Sequence, residues 1–350
     1  MKTKKKDLKK VIPLNQIYGD SLEVSQFLAQ TDPLAILASE LGQGFKDYRI
    51  AWEKAKNFSQ IPPFPLHVDY ELKRACNLKC PVCPNADSPS IKAVQPKREL
   101  EPTTVKNLID QGLKSSQASM GFGGLWEPLL SPNLVDLIAY GRQNGLIEAM
   151  FNTNGLLLSP NLSRDLIEAG LTRIMISLDA VTEKTYAQMR PGSDFRLVKN
   201  NIYELLDIKQ KLRLKLPLIR LSFCLTKHNQ RELPQFLATW QGLVDFFSIQ
   251  RYGLLRRGGP DLFANLPLSP AAPRRCAQPF KRLSVGHDGL VYPCCDLSGL
   301  NLPLGSIYEQ DLLTLWNEKS LSLIRAEHSR LPLSLNSTCL SCQNKYQPSP

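Results

Sequence analysis

The sequence predicts an α/β protein: a partial (β/α)6 barrel of the TIM type, with an N-terminal helical extension and a small cysteine-rich C-terminal domain. Three observations carry this. Short β-type runs alternate with helical stretches from His67 to about Gly259, the pattern of right-handed βαβ units around a parallel sheet. That span offers six strands, and a complete eightfold barrel needs more residues. After residue 260 the texture changes: PDLFANLPLSPAAPRR is Pro-rich, and residues 276–350 hold five of the nine cysteines.

The expected organisation is therefore 1–65 (basic tail and helical extension), 66–260 (barrel), 261–275 (linker) and 276–350 (cysteine-rich domain). Residues 21–58 show helical apolar spacing, with Phe27, Leu34, Ile36 and Leu37 among the apolar positions, and Gly42 and Gly44 are expected to break the run into two helices. IPPFP (61–65) is a stiff connection. The barrel strands are expected at 66–72, 119–124, 148–155, 172–180, 218–226 and 246–253. Between them lie helices at 103–116, starting between Glu101 and Thr104, at 133–145, ended by Gly145, and at 163–170, 195–212 and 230–243, the last despite Pro234. The C-terminal part shows a hairpin signal at HDG (287–289) and one helix over 311–328. The five cysteines of residues 276–350 mark a small domain stapled through metal.

Composition narrows the function classes. Forty-three Lys and Arg against 32 Asp and Glu leave a net charge of +11, part of it in the opening MKTKKKDLKK. Such a run suits an anionic partner or is a solvated tail. No apolar segment of signal-peptide type follows it, and no apolar stretch is long enough to span a membrane. The nine cysteines (76, 80, 83, 224, 276, 294, 295, 339, 342) are odd in number and closely spaced. That argues against a disulfide framework and for metal or cluster ligation in a reducing cytoplasm. His67, His228, His287 and His328 form no ligand-spaced pair, so sulfur must carry the metal chemistry. A zinc-containing nucleic-acid binder is the non-enzyme alternative. Against it, the basic residues are dispersed and no basic helix carries interleaved aromatics.

The first cysteines read Cys76-Asn-Leu-Lys-Cys80-Pro-Val-Cys83, directly after the first expected strand. Barrel folds place their chemistry on such loops. A zinc ribbon wants two CxxC pairs, or CxxC with histidines. A 4Fe–4S cluster normally takes four cysteines, so three leave one iron open to a further ligand. A zinc site with a distant fourth cysteine is the alternative.

This CxxxCxxC spacing resembles the signature of the radical S-adenosylmethionine (radical SAM) superfamily. The resemblance implies that the open iron chelates the amino and carboxylate groups of SAM. One electron from the cluster then cleaves SAM to methionine and a 5′-deoxyadenosyl radical, which abstracts hydrogen. Val82 stands where members usually carry an aromatic residue. GLWEPLL (124–130) is similar to the family's glycine-rich strand end, which implies a role for Gly124 and places Glu127 at the methionine amino group. Trp126 replaces the expected glycine, a bulky departure that reshapes the pocket. Asn152-Thr-Asn154-Gly155 resembles the family's TNG turn. ISLDA (176–180), with Tyr186 and Met189-Arg190-Pro-Gly192, resembles its fourth strand, which implies that Ser177 and Arg190 contact the SAM carboxylate and ribose. Each match alone is weak, and their shared order along residues 66–260 gives them weight.

The tail carries Cys276, then Cys294 five residues after Gly289, then Cys339 and Cys342 as a CxxC pair. This resembles the reduced "twitch" form of the SPASM domain. The resemblance implies one auxiliary 4Fe–4S cluster fully ligated by these four thiols, with a zinc knuckle on the same ligands as the alternative. Cys224, on an expected strand, is read as core packing. Cys295 is an alternative ligand replacing Cys294, a buried bystander, or a hydrogen-atom donor to a substrate radical, as in radical SAM peptide epimerases. Enzymes of this subgroup mainly modify peptides, and some oxidise an aminosugar alcohol. The expected substrate is a ribosomally made precursor peptide, undergoing epimerisation, crosslinking or excision of a backbone fragment. The expected partners are a separate leader-recognition or accessory protein and an electron donor such as flavodoxin or ferredoxin.

Overall fold

The computed structural model describes residues 24–29, 31–83, 99–252, 262, 275–295, 301–329 and 337–344. The basic opening run and most of the 261–275 linker lie outside them. One ten-stranded sheet organises the chain, in the order β1-β7-β6-β5-β4-β3-β2-β8-β9-β10. Its strands are β1 (Val24–Ala29), β2 (His67–Tyr70), β3 (Ser119–Phe122), β4 (Glu148–Thr153), β5 (Arg173–Ser177), β6 (Leu218–Leu225), β7 (Phe246–Arg251), β8 (Arg282–Val285), β9 (Leu290–Tyr292) and β10 (Gly305–Ser306). Strands β2 to β7 are parallel and follow sequence order, the six-unit partial barrel that the alternation predicts.

Successive side chains of these strands face opposite ways. Val68, Tyr70, Met120, Phe122, Phe151, Ile174 and Ile176 pack in the outer core. They lie under α2 (Pro102–Lys114), α3 (Leu134–Gln143), α4 (Pro160–Glu168) and α6 (Phe195–Lys211), which contribute Val105, Ile109, Ile138, Leu166 and Ile202 to the same core. The intervening residues His67, Asp69, Ser119, Glu148, Arg173 and Ser222 take the inner face. That face is polar and includes the buried Arg173–Glu148 ion pair, which suits a barrel that encloses a reaction site rather than a dry core.

The barrel's base is closed by α1 (Pro33–Lys56). Its Leu37, Phe45, Tyr48, Trp52 and Ala55 form one buried cluster with Leu66, Ala118, Leu218 and Phe246, residues at or just before the starts of β2, β3, β6 and β7. Burying each large apolar side chain here contributes roughly 1.5–3 kcal/mol. The expected break falls at Gly42 alone, whose φ of 74° kinks the helix, while Gly44 stays helical.

Several elements differ from the expectation. Val24–Ala29, read as helical, is a strand that pairs antiparallel with β7. A short apolar run does not by itself distinguish helix from strand, and the open edge of a partial barrel offers hydrogen bonds that a strand can satisfy. Helix α5 (Glu183–Met189), capped by Thr182, is too short to show as a period in the sequence. Helix α7 (Leu233–Trp240) starts later than expected, so Pro234 falls in its first turn, where a missing N–H costs nothing. The single helix expected over 311–328 is two, α8 (Leu312–Trp316) and α9 (Lys319–Ser329), separated where Asn317 caps α8. The last helix described is α10 (Ser337–Asn344).

The C-terminal part continues the barrel sheet. Strand β8 pairs parallel with β2 in the register His67↔Arg282 to Tyr70↔Val285. Strands β9 and β10 extend it as antiparallel neighbours, around the expected hairpin. Trp316 Nε1 donates to Pro62 O at 2.9 Å, tying α8 to the IPPFP connection.

Candidate functional site

Cys76, Cys80 and Cys83 lie on the loop that leaves the C-terminal end of β2. Cys80 is buried, Cys83 half-buried and Cys76 exposed, and Cys83 N donates to Cys80 O at 2.9 Å in a tight turn. Three neighbouring strand ends hold this loop. From beyond β3, Glu127 N donates to Ala75 O at 2.9 Å. From the end of β4, Asn154 Nδ2 donates to Asn77 Oδ1 at 2.8 Å. From beyond β5, an Arg190 guanidinium N–H points at Cys80 Sγ, 3.8 Å away. Burial pushes the Cys80 thiol up, against the pull of Arg190.

The segments singled out in the sequence thus meet around one loop, and the structure shows how each is supported. Glu127 is buried, with Oε1 accepting from Thr153 Oγ1 (2.7 Å) and Leu129 N (3.2 Å) and Oε2 from Asn154 N (2.8 Å). Burial nevertheless outweighs these donors and pushes its carboxyl up. Asn154 Oδ1 accepts from Leu156 N, and Gly155 turns the chain at φ 77°. Gly124 takes a φ of 115° that other residues rarely adopt, and a Cβ there would lie 2.4 Å from Glu71 Oε1 and displace that carboxylate, which accepts from Leu125 N at 2.9 Å. Ser177 ends β5 on the inner face, in register with Ser222.

Arg190 is anchored rather than free. Its guanidinium meets Asp179 Oδ2 at 2.5 Å, and burial opposes but Asp179 and then Cys80 hold it firmly protonated. Asp179 Oδ1 accepts from Cys224 N at 2.6 Å, which fixes a φ of 60° at Asp179. Asp179, Asn77 and Glu71 were not singled out in the sequence as site residues; Asp179 lies inside ISLDA, and Glu71 follows His67 and Asp69 at period two, signals that could have found these two.

Cys224 corrects an expectation. It is half-buried on the inner face of β6, because Leu221, Phe223 and Leu225 take the core side of the strand. Cys295 is exposed, so it is not a buried bystander. Arg282 donates from one nitrogen to Cys295 Sγ (3.1 Å) and to Asp69 Oδ2 (3.2 Å). His67 Nε2 lies 2.9 Å from Asp69 Oδ1, and His67 Nδ1 lies 2.8 Å from Ser119 Oγ. Burial is outweighed by His67 and Arg282, which hold the Asp69 carboxyl down at about 2. A solvent-open cleft joins Gly123, Gly124 and Glu71 on the barrel side to Tyr292, Cys294 and Cys295 on the hairpin side.

Cys276 precedes β8, and Cys339 and Cys342 are half-buried on α10. The β8–β9 register, Ser284↔Tyr292, brings the start of β8 alongside the residues that follow β9, including Cys294. Among the described residues no three His, Cys, Asp or Glu side chains converge as they would on a single metal ion. A cubane makes a different demand, since each thiolate binds its own iron. Buried polar atoms without hydrogen-bond partners border both cysteine sets: Arg190 Nε and Trp126 Nε1 near the first, Lys281 Nζ and His328 Nε2 near the second. Donors left over in this way fit anionic or zwitterionic groups in both places. None of the described helices is long and apolar enough to cross a membrane.

Comparison with known proteins agrees with this layout. The model of the Radical SAM superfamily matches residues 70–221, and that of SPASM, an iron–sulfur cluster-binding domain, matches residues 276–343. An AdoMet-dependent heme synthase of Methanosarcina barkeri is 31% identical over 131 residues, 37% of this chain and 36% of that protein. A PqqA peptide cyclase of Gluconobacter oxydans is 32% identical over 123 residues, 35% of this chain and 33% of that protein. The matches thus span about a third of the length of these relatives. Streptococcus suis SuiB, solved bound to S-adenosylmethionine, shares the fold with a TM-score of 0.61 at 17% identity, over 85% of this chain and 75% of that one.

Proposed function

We propose that this chain, a radical SAM iron–sulfur enzyme with a SPASM domain, acts on a peptide drawn into the cleft between its barrel and its C-terminal hairpin. The observation that supports this is that one shallow cleft brings the glycine turn beyond β3 and Cys295 to the same opening. Two of the similar proteins have peptide substrates or ligands in their names: the PqqA peptide cyclase, and SuiB, also solved with its precursor peptide SuiA.

In this proposal Cys76, Cys80 and Cys83 hold the SAM-binding 4Fe–4S cluster, and Cys276, Cys294, Cys339 and Cys342 hold one auxiliary cluster. Bound at the first set, cluster and SAM supply one-electron hydrogen abstraction. The chain's own residues do the rest. Gly124 lets the backbone approach the cofactor, and Glu127 and Asn154 brace the loop on which the thiols sit. Ser177 and Arg190 present a hydroxyl and a guanidinium N–H to SAM's polar groups. Cys295 gives its S–H hydrogen to the substrate carbon radical. Arg282 donates to the sulfur, at the edge of the cleft that Cys295 lines. An electron carrier such as flavodoxin or ferredoxin, with a solvent proton, restores the thiol. The proposed setting is the cytoplasm, with a separate recognition protein for the peptide leader.

Incubation of the reconstituted enzyme with peptides encoded beside its gene tests this reading. The expected result is a mass shift, or a stereochemical change with solvent deuterium incorporated. Oxidation of an aminosugar with every peptide inert would replace the substrate class. A Cys295→Ala enzyme giving full product with unchanged deuterium content would remove Cys295 from the chemistry.

A further inference from the structure

Three buried cationic or donor groups contact Cys276 or the segment that leads from it into β8, and each has a nitrogen the fold leaves unsatisfied. Lys281 is fully buried at the base of β8; its Nζ makes no hydrogen bond and rests 4.4 Å from the ring centre of Trp52. His328, buried on α9, accepts the main-chain N–H of Cys276 at Nδ1 (3.2 Å). That contact puts the ring hydrogen on Nε2, which has no acceptor. Arg325 braces the turn between Cys276 and Lys281, donating from Nε to Pro279 O at 2.9 Å and from a second nitrogen to Trp316 O at 3.0 Å; its third nitrogen is without a partner.

The electrostatics around Lys281 are one-sided. Burial, Arg282, Arg49 and Lys56 all disfavour its ammonium and push its pKa down to about 7, and the negative charge of a Cys276 thiolate is what favours the ammonium. Buried charges are normally paired or sit against metal centres, and a buried donor without an acceptor calls for an explanation. A 4Fe–4S cluster with four thiolates carries two negative charges when oxidised and three after taking up one electron. It is an anion that hydrogen bonds and nearby charge tune strongly.

We propose that Lys281 and His328 are positioning residues of the auxiliary cluster: a buried ammonium and a ring N–H, both beside Cys276, that balance the cluster's negative charge and raise its reduction potential. This rests on the assignment of Cys276, Cys294, Cys339 and Cys342 as its ligands. Positive charge stabilises the reduced cluster more than the oxidised one, so removing it should make reduction harder.

The test is a reductive titration of the anaerobically reconstituted full chain with dithionite and mediator dyes, followed by electron paramagnetic resonance. Lys281→Met keeps the buried volume and removes the charge; His328→Leu removes the ring donor. At a fixed potential, Lys281→Met should lower the reduced-to-oxidised ratio of the auxiliary cluster about tenfold, about 59 mV for one electron. His328→Leu should lower it by a smaller factor, and the first cluster should not move in either. Loss of the auxiliary cluster's iron from a Lys281→Met chain with an unchanged melting curve would equally support the role, since all four thiols remain. If Lys281→Met does not fold, the His328→Leu titration decides. Ratios within about twofold of wild type in the folded variants, at full iron content, would overturn it. A wild-type chain holding only about four irons would instead overturn the ligand assignment, so the two failures are separable.

Discussion

The two cysteine regions are built on opposite electrostatic plans. Around Cys80 the strong charge is already compensated: Arg190 is paired with Asp179, which is itself clamped by the Cys224 amide. Around Cys276 donors are left over, with Lys281 and His328 buried and without hydrogen-bonding partners for Nζ and Nε2. The contrast teaches what each region is prepared to receive. A loop offering three thiols beside a neutralised ion pair suits a cofactor that brings both charges of its own. A buried excess of donors suits a closed, anionic cluster.

The sharpest way to break this comparison is to remove one site and assay the other. Cys80→Ser should abolish SAM cleavage and lower iron from about eight to about four per chain. Cys276→Ser should also cost iron while SAM cleavage persists, read as 5′-deoxyadenosine formed under dithionite. If either variant disables both sites, the regions are not independent.

Next in size is the charge test. Asp179→Asn leaves Arg190 buried and unpaired and should cost about 3–5 kcal/mol in urea unfolding. Lys281→Met, measured on the metal-free chain, should be neutral or stabilising, because it removes a charge without separating a pair. Equal losses from both would erase the distinction.

A smaller effect is expected where the cysteine loop is braced rather than charged. Asn154→Ala removes the bond to Asn77 and should lower the rate of SAM cleavage about 10–100-fold, with iron retained on the auxiliary side.

The smallest concerns pH. Asp69 is held down from 3.8 to about 2 by His67 and Arg282 against the cost of burial. A depressed carboxyl contributes its stability above its unfolded pKa, and the contribution disappears as pH falls through the folded value. The depression corresponds to about 2 kcal/mol at neutral pH. The stability gap between wild type and Asp69→Asn should therefore be widest above pH ~4 and vanish near pH ~2. A gap that stays constant across this range would assign it to packing.

Much of the molecule was legible in the sequence because local period and strand ends announce themselves. The six parallel strands follow from alternation, and the segments around Glu127, Asn154 and Arg190 stand in their family order. What was not legible depends on contacts far apart in the chain. Val24–Ala29 became a strand because β7 offered it an edge. Cys224 reached the inner face because Phe223 and Leu225 claimed the core side. The burial of Lys281 depends on Trp52, more than two hundred residues earlier. Asn77 shows the same limit within the site: it accepts from the Asn154 side chain far along the chain, and no spacing marks it.

The pairing of β8 with β2 has a consequence for timing. His67 N donates to Lys281 O at 3.2 Å and Glu71 N to Val285 O at 2.9 Å, so the strand that leads into the first cysteine loop is hydrogen-bonded to the strand that follows Cys276. No hinge in either strand can separate the two centres without breaking that ladder. Any electron passing between them would cross a gap set when the chain folds rather than when substrate arrives.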